Sequence, residues 1–127
     1  MLTNIKTIIY QKETALAMLE YLKIEILEDK NILEFIDNRY QETIGNPKSI
    51  EIAEDYVERY IDKLFRIIDG WENIYEDNNI IDGISWKLKI IYTDGESEHY
   101  IGKNSFPSNF EYLDKIKYEI IDKVMEC

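Results

Sequence analysis

Cysteine and histidine are almost absent from this chain of 127 residues, which has one of each, Cys127 and His99. A disulfide needs two thiols and a structural zinc site needs four Cys or His ligands, so one chain can assemble neither. Glycine is also scarce, and the five scattered glycines form no phosphate-binding loop. The sequence therefore predicts no metal and no cofactor, and its cysteine content is typical of a cytoplasmic protein.

Long hydrophobic runs are missing too. No segment approaches the roughly 18 uninterrupted apolar residues of a membrane span. Ile5, Ile8 and Ile9 form a short apolar patch that Lys6 interrupts, which is unlike the core of a signal peptide. We expect a soluble, cytoplasmic protein with a single domain over residues 1–127.

Basic residues are few, with 15 Lys and Arg against 26 Asp and Glu, which gives a net charge of −11. Such a field repels phosphate and argues against direct binding of nucleic acid or anionic membranes. The apolar fraction of 45% is enough to fold around one core. The usage of 23 Ile and 12 Lys against 3 Ala and 3 Arg is typical of A/T-rich genes, as in low-GC bacteria and their phages.

Up to about residue 78, apolar residues are spaced by three and four, which is the period of a helix face. We predict a first helix over residues 3–27 and a second one, capped by Asp29, that continues to Ile44. The third and strongest stripe follows Ser49 and comprises Ile50, Ala53, Val57, Tyr60, Leu64, Ile67, Trp71 and Ile74. Its width favours the core-facing side of an intramolecular bundle over a coiled-coil seam for a partner helix.

After residue 78 the apolar period drops to two, which predicts a β-hairpin. Asp94-Gly95 suits a two-residue type I′ turn. With that turn, Ile90 faces His99 on the buried side and Tyr100 points outward.

The last part of the chain returns to a helical period. Ser108 and Glu111 predict a capping box at the start of a C-terminal helix. The predicted fold class is α+β, with an N-terminal bundle of three helices over about 1–78. A two-stranded antiparallel hairpin and a C-terminal helix follow over about 79–127.

From Ile68 onward the sequence carries a distinctive set of aromatic, turn and cap positions: Trp71, Tyr75, Asp82-Gly83, Trp86, Asp94-Gly95, Gly102, Asn104, Pro107 and Asn109-Phe110. On these residues the chain resembles a family of uncharacterised small domains of low-GC bacteria. The resemblance covers less than half of the chain. It implies a helix–hairpin–helix unit and no particular chemistry.

No catalytic group stands out. Nucleophilic catalysis would require His99 beside a nucleophile in a cleft, whereas the predicted hairpin places it on a buried face. Asp77, Asn79 and Asp82 resemble part of a calcium-binding loop, but neither possible start of the loop supplies all its ligands. We therefore predict no catalytic residues.

Acidic residues recur at helical spacing behind Ser49: Glu51, Asp55, Glu58 and Asp62, with Asp69, Glu72 and Glu76 further along. Neighbouring carboxylates in such a row lie about 5 to 6 Å apart and would imitate the charge of a nucleic-acid backbone. The alternative is an ordinary solvated face. Arg59 follows Asp55 by four residues and Arg66 follows Asp62, so helical ion pairs would neutralise part of the row.

Small size, acidity and the lack of a catalytic constellation favour a non-enzymatic inhibitor that binds a basic protein, as immunity proteins and phage anti-defence or anti-CRISPR proteins do. The expected partner is a nuclease or another nucleic-acid-handling effector, held by the acidic row with Tyr100 as an exposed aromatic anchor. Two alternatives stay open. One is a small-ligand sensor or carboxylate-based enzyme with a pocket near Tyr92 and His99, and the other is a helical oligomerisation module that forms a homodimer.

Overall fold

A seven-stranded sheet with two helices forms the protein in a computed structural model, which describes residues 4–37, 39, 46–77 and 83–125. The elements are β1 (Ile5–Glu13), β2 (Met18–Ile26), β3 (Asn31–Ile36), β4 (Lys48–Ile52), α1 (Glu54–Ile68), β5 (Ile74–Glu76), β6 (Ser85–Tyr92), β7 (Ser97–Lys103) and α2 (Glu111–Val124). The strand order is β4-β3-β2-β1-β6-β7-β5, with β1 in the centre. Neighbouring strands are antiparallel except β5 and β7, which are parallel.

The prediction of an N-terminal three-helix bundle is wrong, because the residues of the first two predicted helices instead contribute β1, β2 and β3. A bulge explains part of the error. The pairing of β1 with β6 shifts between Ile5 and Thr7, so Ile5 and Ile8 are both buried at a spacing of three, as on a helix. The spacing of four between Leu22 and Ile26 is even, so it fits one face of a strand as well as one face of a helix.

The third predicted helix is shorter than expected. Ser49 lies in β4, the helix α1 begins after Ala53, and it ends at Ile68 rather than Ile74. Within α1, Val57, Tyr60 and Leu64 of the predicted stripe are buried, whereas Ala53 is exposed before the helix and Ile74 is 58% exposed on β5. The part of the stripe on α1 therefore faces the core, but the predicted bundle is wrong, because the surface that it covers is a sheet.

The β6–β7 hairpin is present, but its predicted register is wrong by one residue. The backbone N–H of Tyr92 donates to the Glu96 carbonyl, and the Tyr92 carbonyl accepts from the Gly95 N–H. The turn therefore has three residues, 93–95, rather than two. Gly95 takes a positive φ of 91°, as the last residue of such turns requires. A slip of one residue exchanges the faces of a strand, and Tyr100 is consequently buried whereas His99 is exposed.

The C-terminal helix α2 lies where the sequence predicts a helix. The predicted capping box is not the device that starts it, because the residue at the N-cap is Phe110 and no side chain caps the helix. Both helices pack on one face of the sheet, and their buried side chains form a single core with alternate residues of the strands. Among the strand residues in this core are Ile8, Tyr10, Leu22, Ile24, Leu33, Phe35, Ile52, Trp86, Leu88, Ile90 and Tyr100.

An aromatic cluster joins the end of α1 to the start of α2. Trp71 donates from Nε1 to Asn109 Oδ1 at 2.8 Å, and Asn109 donates back to the Ile67 carbonyl of α1 at 2.8 Å. Trp86 packs on Phe110 with ring centroids 4.7 Å apart, and its Nε1 donates to the Ser105 carbonyl at 2.9 Å. Trp71, Trp86, Asn109 and Phe110 thus meet in one packing unit, whereas Asp94-Gly95 lies in the β6–β7 turn and Asp82 lies outside the described residues.

Gly102 lies directly under the Trp86 indole, where a side chain has no room. A Cβ at this position would overlap the indole and lie 2.7 Å from the Ser105 carbonyl oxygen. We expect Gly102→Ala to lower the free energy of unfolding by about 2 kcal/mol, the usual size of an overpacking effect. Urea denaturation measures the change. The matched substitution Ser97→Ala, at an exposed site of the same strand, should cost less than about 0.5 kcal/mol.

A buried lysine joins α2 to the sheet. Lys117 is fully inaccessible, and its Nζ donates to Glu20 Oε1 at 2.6 Å and to the Ile36 carbonyl at 2.8 Å. The Tyr118 hydroxyl donates to the same oxygen of Glu20. Burial lowers the pKa of Lys117, and the carboxylate of Glu20 opposes this shift. Lys117 and Glu20 therefore form a desolvated ion pair, in which each charge is stabilised by the other.

Breaking this pair from one side leaves a partly buried carboxylate without its cation. We expect Lys117→Met to lower the free energy of unfolding by about 3 kcal/mol. The double variant Lys117→Met/Glu20→Gln removes both charges and should be more stable than Lys117→Met alone. Urea denaturation of the three proteins tests this, and a double variant less stable than Lys117→Met would contradict it.

A partly exposed charge network lies near the C-terminal end of α2. Arg39 donates to Asp37 at 2.9 Å and to Asp122 at 2.6 Å, with its guanidinium 4.1 Å from the centre of the Tyr118 ring. The hydrogen bond from Arg39 lowers the pKa of Asp37. Asp122 also has a lowered pKa, chiefly because it accepts from the same guanidinium.

The lowered pKa of Asp37 predicts an acid-sensitive contribution to stability. Its carboxylate stabilises the fold above the unfolded pKa of about 3.9, and this contribution disappears as the pH falls through the lower folded value. We expect Asp37→Asn to be less stable than wild type at neutral pH, with a difference that shrinks under acid conditions. Urea midpoints of the two proteins across a pH series measure it. A difference that stays constant down to the acid limit would show that the ionised state of Asp37 is irrelevant.

Candidate partner-binding surface

The structure divides the predicted acidic row among several elements. Asp55, Glu58 and Asp62 lie on α1, and Asp69 is the C-cap of this helix. Glu51 is on edge strand β4, and Glu72 is exposed in the connection that follows α1. Glu76 lies on β5, paired in register with Lys103. The prediction of one continuous helical stripe from Glu51 to Glu76 is therefore wrong, and only its central part shares a helix face.

The charges on α1 are segregated by sign. At about 100° per residue, Asp55, Glu58 and Asp62 fall within an arc of about 60°. The basic residues Arg59, Lys63 and Arg66 occupy the neighbouring arc. Arg59 and Lys63 line the groove with α2, where Lys63 pairs with Glu119. In the described part of the chain no ion pair joins Asp55 to Arg59 or Asp62 to Arg66. The expected neutralisation of the row within α1 is thus missing at these two positions.

More carboxylates extend the acidic side of α1 at its start. A shallow cleft there is bordered by Glu28 and Asp29 of the β2–β3 turn, by Glu51 and by Glu54. Lys30 is the one base among the residues that line this cleft. We refer to the whole surface as the acidic patch: Glu28, Asp29, Glu51, Glu54, Asp55, Glu58 and Asp62.

Sequence reasoning missed the contribution of the β2–β3 turn to this patch. Leu27 donates to the Lys30 carbonyl at 2.9 Å, so residues 27–30 form a tight turn. The signal was present, because an acidic pair between two apolar segments is typical of a turn. Asp29 also fits the N-cap of a helix, and the local sequence pattern does not show that β2 pairs with β3.

The aromatic anchor predicted for the partner is not available. Tyr100 is 9% exposed, and its hydroxyl donates to Glu98 Oε2 at 2.7 Å. Burial, with this hydrogen bond as a further cause, raises the pKa of Tyr100 to about 12. Tyr112 on α2 is 44% exposed and is a better candidate for an aromatic contact.

A groove between the helices collects basic residues. It has a volume of about 390 Å³ including its open mouth, and it is lined by Tyr56, Arg59, Tyr60, Lys63, Ile116, Glu119, Ile120 and Lys123. Tyr60 is buried, and its hydroxyl has no hydrogen-bond partner within the described part of the chain. Burial raises the pKa of Tyr60. The groove thus separates the acidic side of α1 from α2.

The residues proposed for a catalytic or ligand pocket do not meet. His99 is exposed on the side of the sheet opposite the helices, where its Nε2 lies 3.0 Å from Ser97 Oγ. Tyr92 instead donates to Glu98, whose register places it on the helix side. The two members of the proposed pocket therefore face different directions, and Cys127 lies outside the described residues.

The sheet face opposite the helices is the second large surface, which we call the open face. No helix or strand lies over it in the ranges that the structure describes. Register places the following residues there: Thr7, Ile9, Gln11, Glu13, Tyr21, Lys23, Glu25, Ile32, Glu34, Ser49, Glu51, Ile74, Glu76, Lys87, Lys89, Ile91, Ser97, His99, Ile101 and Lys103. It therefore mixes isoleucines with charges of both signs.

Two further properties follow from the described residues alone. None of their His, Cys, Asp and Glu side chains form a group of three suited to holding a metal ion. Neither helix has the length and apolar composition needed to cross a membrane.

Comparisons of the chain with protein-family models, with curated proteins and with solved structures find no match.

Proposed function

We propose that this protein is a non-enzymatic inhibitor that uses the acidic patch to bind a basic, nucleic-acid-handling protein. The observation that carries the proposal is the charge arrangement around α1. Four carboxylates, from the β2–β3 turn, β4 and the first residue of α1, border a cleft whose lining includes a single base, Lys30, and Asp55, Glu58 and Asp62 continue the patch along one flank of the helix. Of the bases on α1, Arg59 and Lys63 line the groove with α2, and among the described residues no ion pair joins Arg59 to Asp55 or Arg66 to Asp62.

The geometry of the patch supports a partner with a nucleic-acid groove. Successive carboxylates on the flank of α1 are spaced by about 5 to 6 Å, and the flank from Glu54 to Asp62 extends for about 12 Å along the helix axis. A protein surface that binds phosphates presents Lys and Arg at comparable intervals. Carboxylates held on a rigid helix would occupy that surface and exclude the nucleic acid.

The net charge of −11 assists the encounter with such a partner. Long-range attraction between oppositely charged proteins raises the association rate at low salt and loses strength as salt increases. The inhibitor would therefore bind fastest at low ionic strength, and it would be released from its partner by rising salt.

Substitution of Asp55 and Asp62 provides the sharpest test, because both are exposed and neither takes part in an ion pair within the described residues. We expect Asp55→Lys/Asp62→Lys to fold with a loss of less than about 2 kcal/mol, since exposed charges contribute little. Affinity for the partner should fall at least about tenfold, which corresponds to about 1.4 kcal/mol.

To isolate the partner, lysate of the host, or of the phage-infected host, is passed over the immobilised protein. Retained proteins are eluted with a salt gradient and identified by mass spectrometry. Affinity and inhibition are then measured with the purified partner and the variants. Glu96→Lys/Glu111→Lys changes the net charge equally at exposed sites outside the patch and should bind nearly as wild type. Equal losses in the two variants, or a partner whose activity is unchanged on binding, would refute the proposal.

A further inference from the structure

The open face has an unusual composition for a sheet surface in contact with water. Antiparallel sheets with one solvated face normally alternate apolar residues inward and polar residues outward. Here the open face carries Ile9, Ile32, Ile74, Ile91 and Ile101, spread over five of the seven strands. Ile74 is 58% exposed and Ile101, its neighbour across the β5–β7 pair, is 43% exposed.

The charges of the open face are divided between its two halves. On the side of β2, β3 and β4 are three acids and one base, Glu25, Glu34, Glu51 and Lys23, with a net charge of 1 − 3 = −2. On the side of β6, β7 and β5 are three bases and one acid, Lys87, Lys89, Lys103 and Glu76, with a net charge of 3 − 1 = +2. Strand β1 separates the halves and adds Glu13.

The lysines of the basic half lack ionic partners within the described part of the chain. Among the described residues, Lys87, Lys89 and Lys103 form no ion pair, although the chain is strongly acidic. In the acidic half, Lys23 pairs with Glu25 at 2.9 Å, and Glu34 accepts from Tyr21. The three lysines are therefore free to meet carboxylates from another molecule.

We propose that a second copy of this chain covers the open face and forms a symmetric dimer of two packed sheets. A two-fold axis that runs along β1 between the sheets places β6 opposite β2 of the second copy and β7 opposite its β3. The acidic half of each copy then faces the basic half of the other, and Ile9 lies at the axis. Such an interface is self-complementary, as two-fold symmetry requires.

The size of the open face is sufficient for this dimer. Seven strands at a spacing of about 4.8 Å make the face about 29 Å wide. With a usable length of about 20 Å along the strands, each copy buries about 600 Å², or about 1,200 Å² for the pair, which is the lower end of the range for stable interfaces. Both copies of α1 remain on the outside, so the dimer leaves most of the acidic patch accessible.

Two variants with opposite charge changes test the proposal. Lys87→Glu/Lys89→Glu makes both halves of the open face acidic, and Glu25→Lys/Glu34→Lys makes both halves basic. Each should be monomeric, with the dimer dissociation constant raised at least about tenfold. An equimolar mixture of the two should restore a dimer, because each acidic half then faces a basic half. Sedimentation velocity over a series of protein concentrations, at low and high salt, measures these states.

Controls separate the dimer from general charge effects and from misfolding. Arg66→Glu/Lys115→Glu makes the same charge change on exposed helix positions and should dimerise as wild type. Circular dichroism establishes that each variant folds, and the single change Lys89→Glu replaces any double variant that does not. The proposal is overturned by a monomeric wild type at every concentration, by variants that remain dimers, or by a mixture that stays monomeric. None of these outcomes bears on the acidic patch.

Discussion

The burial of one sheet face under two adjacent helices is the constraint on which the rest of the structure depends. A sheet of seven strands has two faces, and α1 and α2 both pack on the same one. The large apolar side chains of the core cluster come from that face, from the helices and, with Phe110, from the residue that precedes α2. The strands therefore need inward residues at alternate positions, and the helices need wide apolar stripes.

Polar contacts determine where α2 lies on this face. Asp114 accepts from the Tyr10 hydroxyl at 2.6 Å and from Lys12 at 2.8 Å, so one carboxylate of the helix holds two positions of the central strand. Lys117, one turn later, reaches Glu20 on the neighbouring strand. Because these bonds are largely shielded from water, each constrains the helix more strongly than an exposed ion pair would. On the outer side of α1, Asp55 and Asp62 take part in no ion pair with the other described residues and are accessible to a partner.

The C-terminal part of the chain could be predicted from the sequence better than the N-terminal part. Alternation from Trp86 to Tyr92 and the helical spacing from Leu113 to Val124 are unambiguous signals, and both elements exist. The hairpin register was not predictable from Asp94-Gly95 alone, because the same pair also fits a three-residue turn in which only Gly95 has a positive φ. That single ambiguity decided whether Tyr100 or His99 faced the core.

The N-terminal strands and the extended acidic patch depend on interactions that a local pattern does not contain. The spacing of Ile5 and Ile8 reflects a bulge, which only the pairing of β1 with β6 reveals. Asp55, Glu58 and Asp62 could be placed together because one helix carries them. Glu28 and Asp29 join them only because the pairing of β2 with β3 brings a turn to the start of α1.

The central position of β1 has a consequence for the order of folding. Its partner on one side, β2, follows after a short turn, whereas its partner on the other side, β6, begins at Ser85, more than 70 residues after β1 ends. A nascent chain can form the β1–β4 meander early, but the second edge of β1 stays unpaired until β6 has been made. During that interval an apolar strand edge is open to pairing with other chains. Slow elongation between β4 and β6 should therefore favour aggregation, even though the finished sheet protects β1 on both sides.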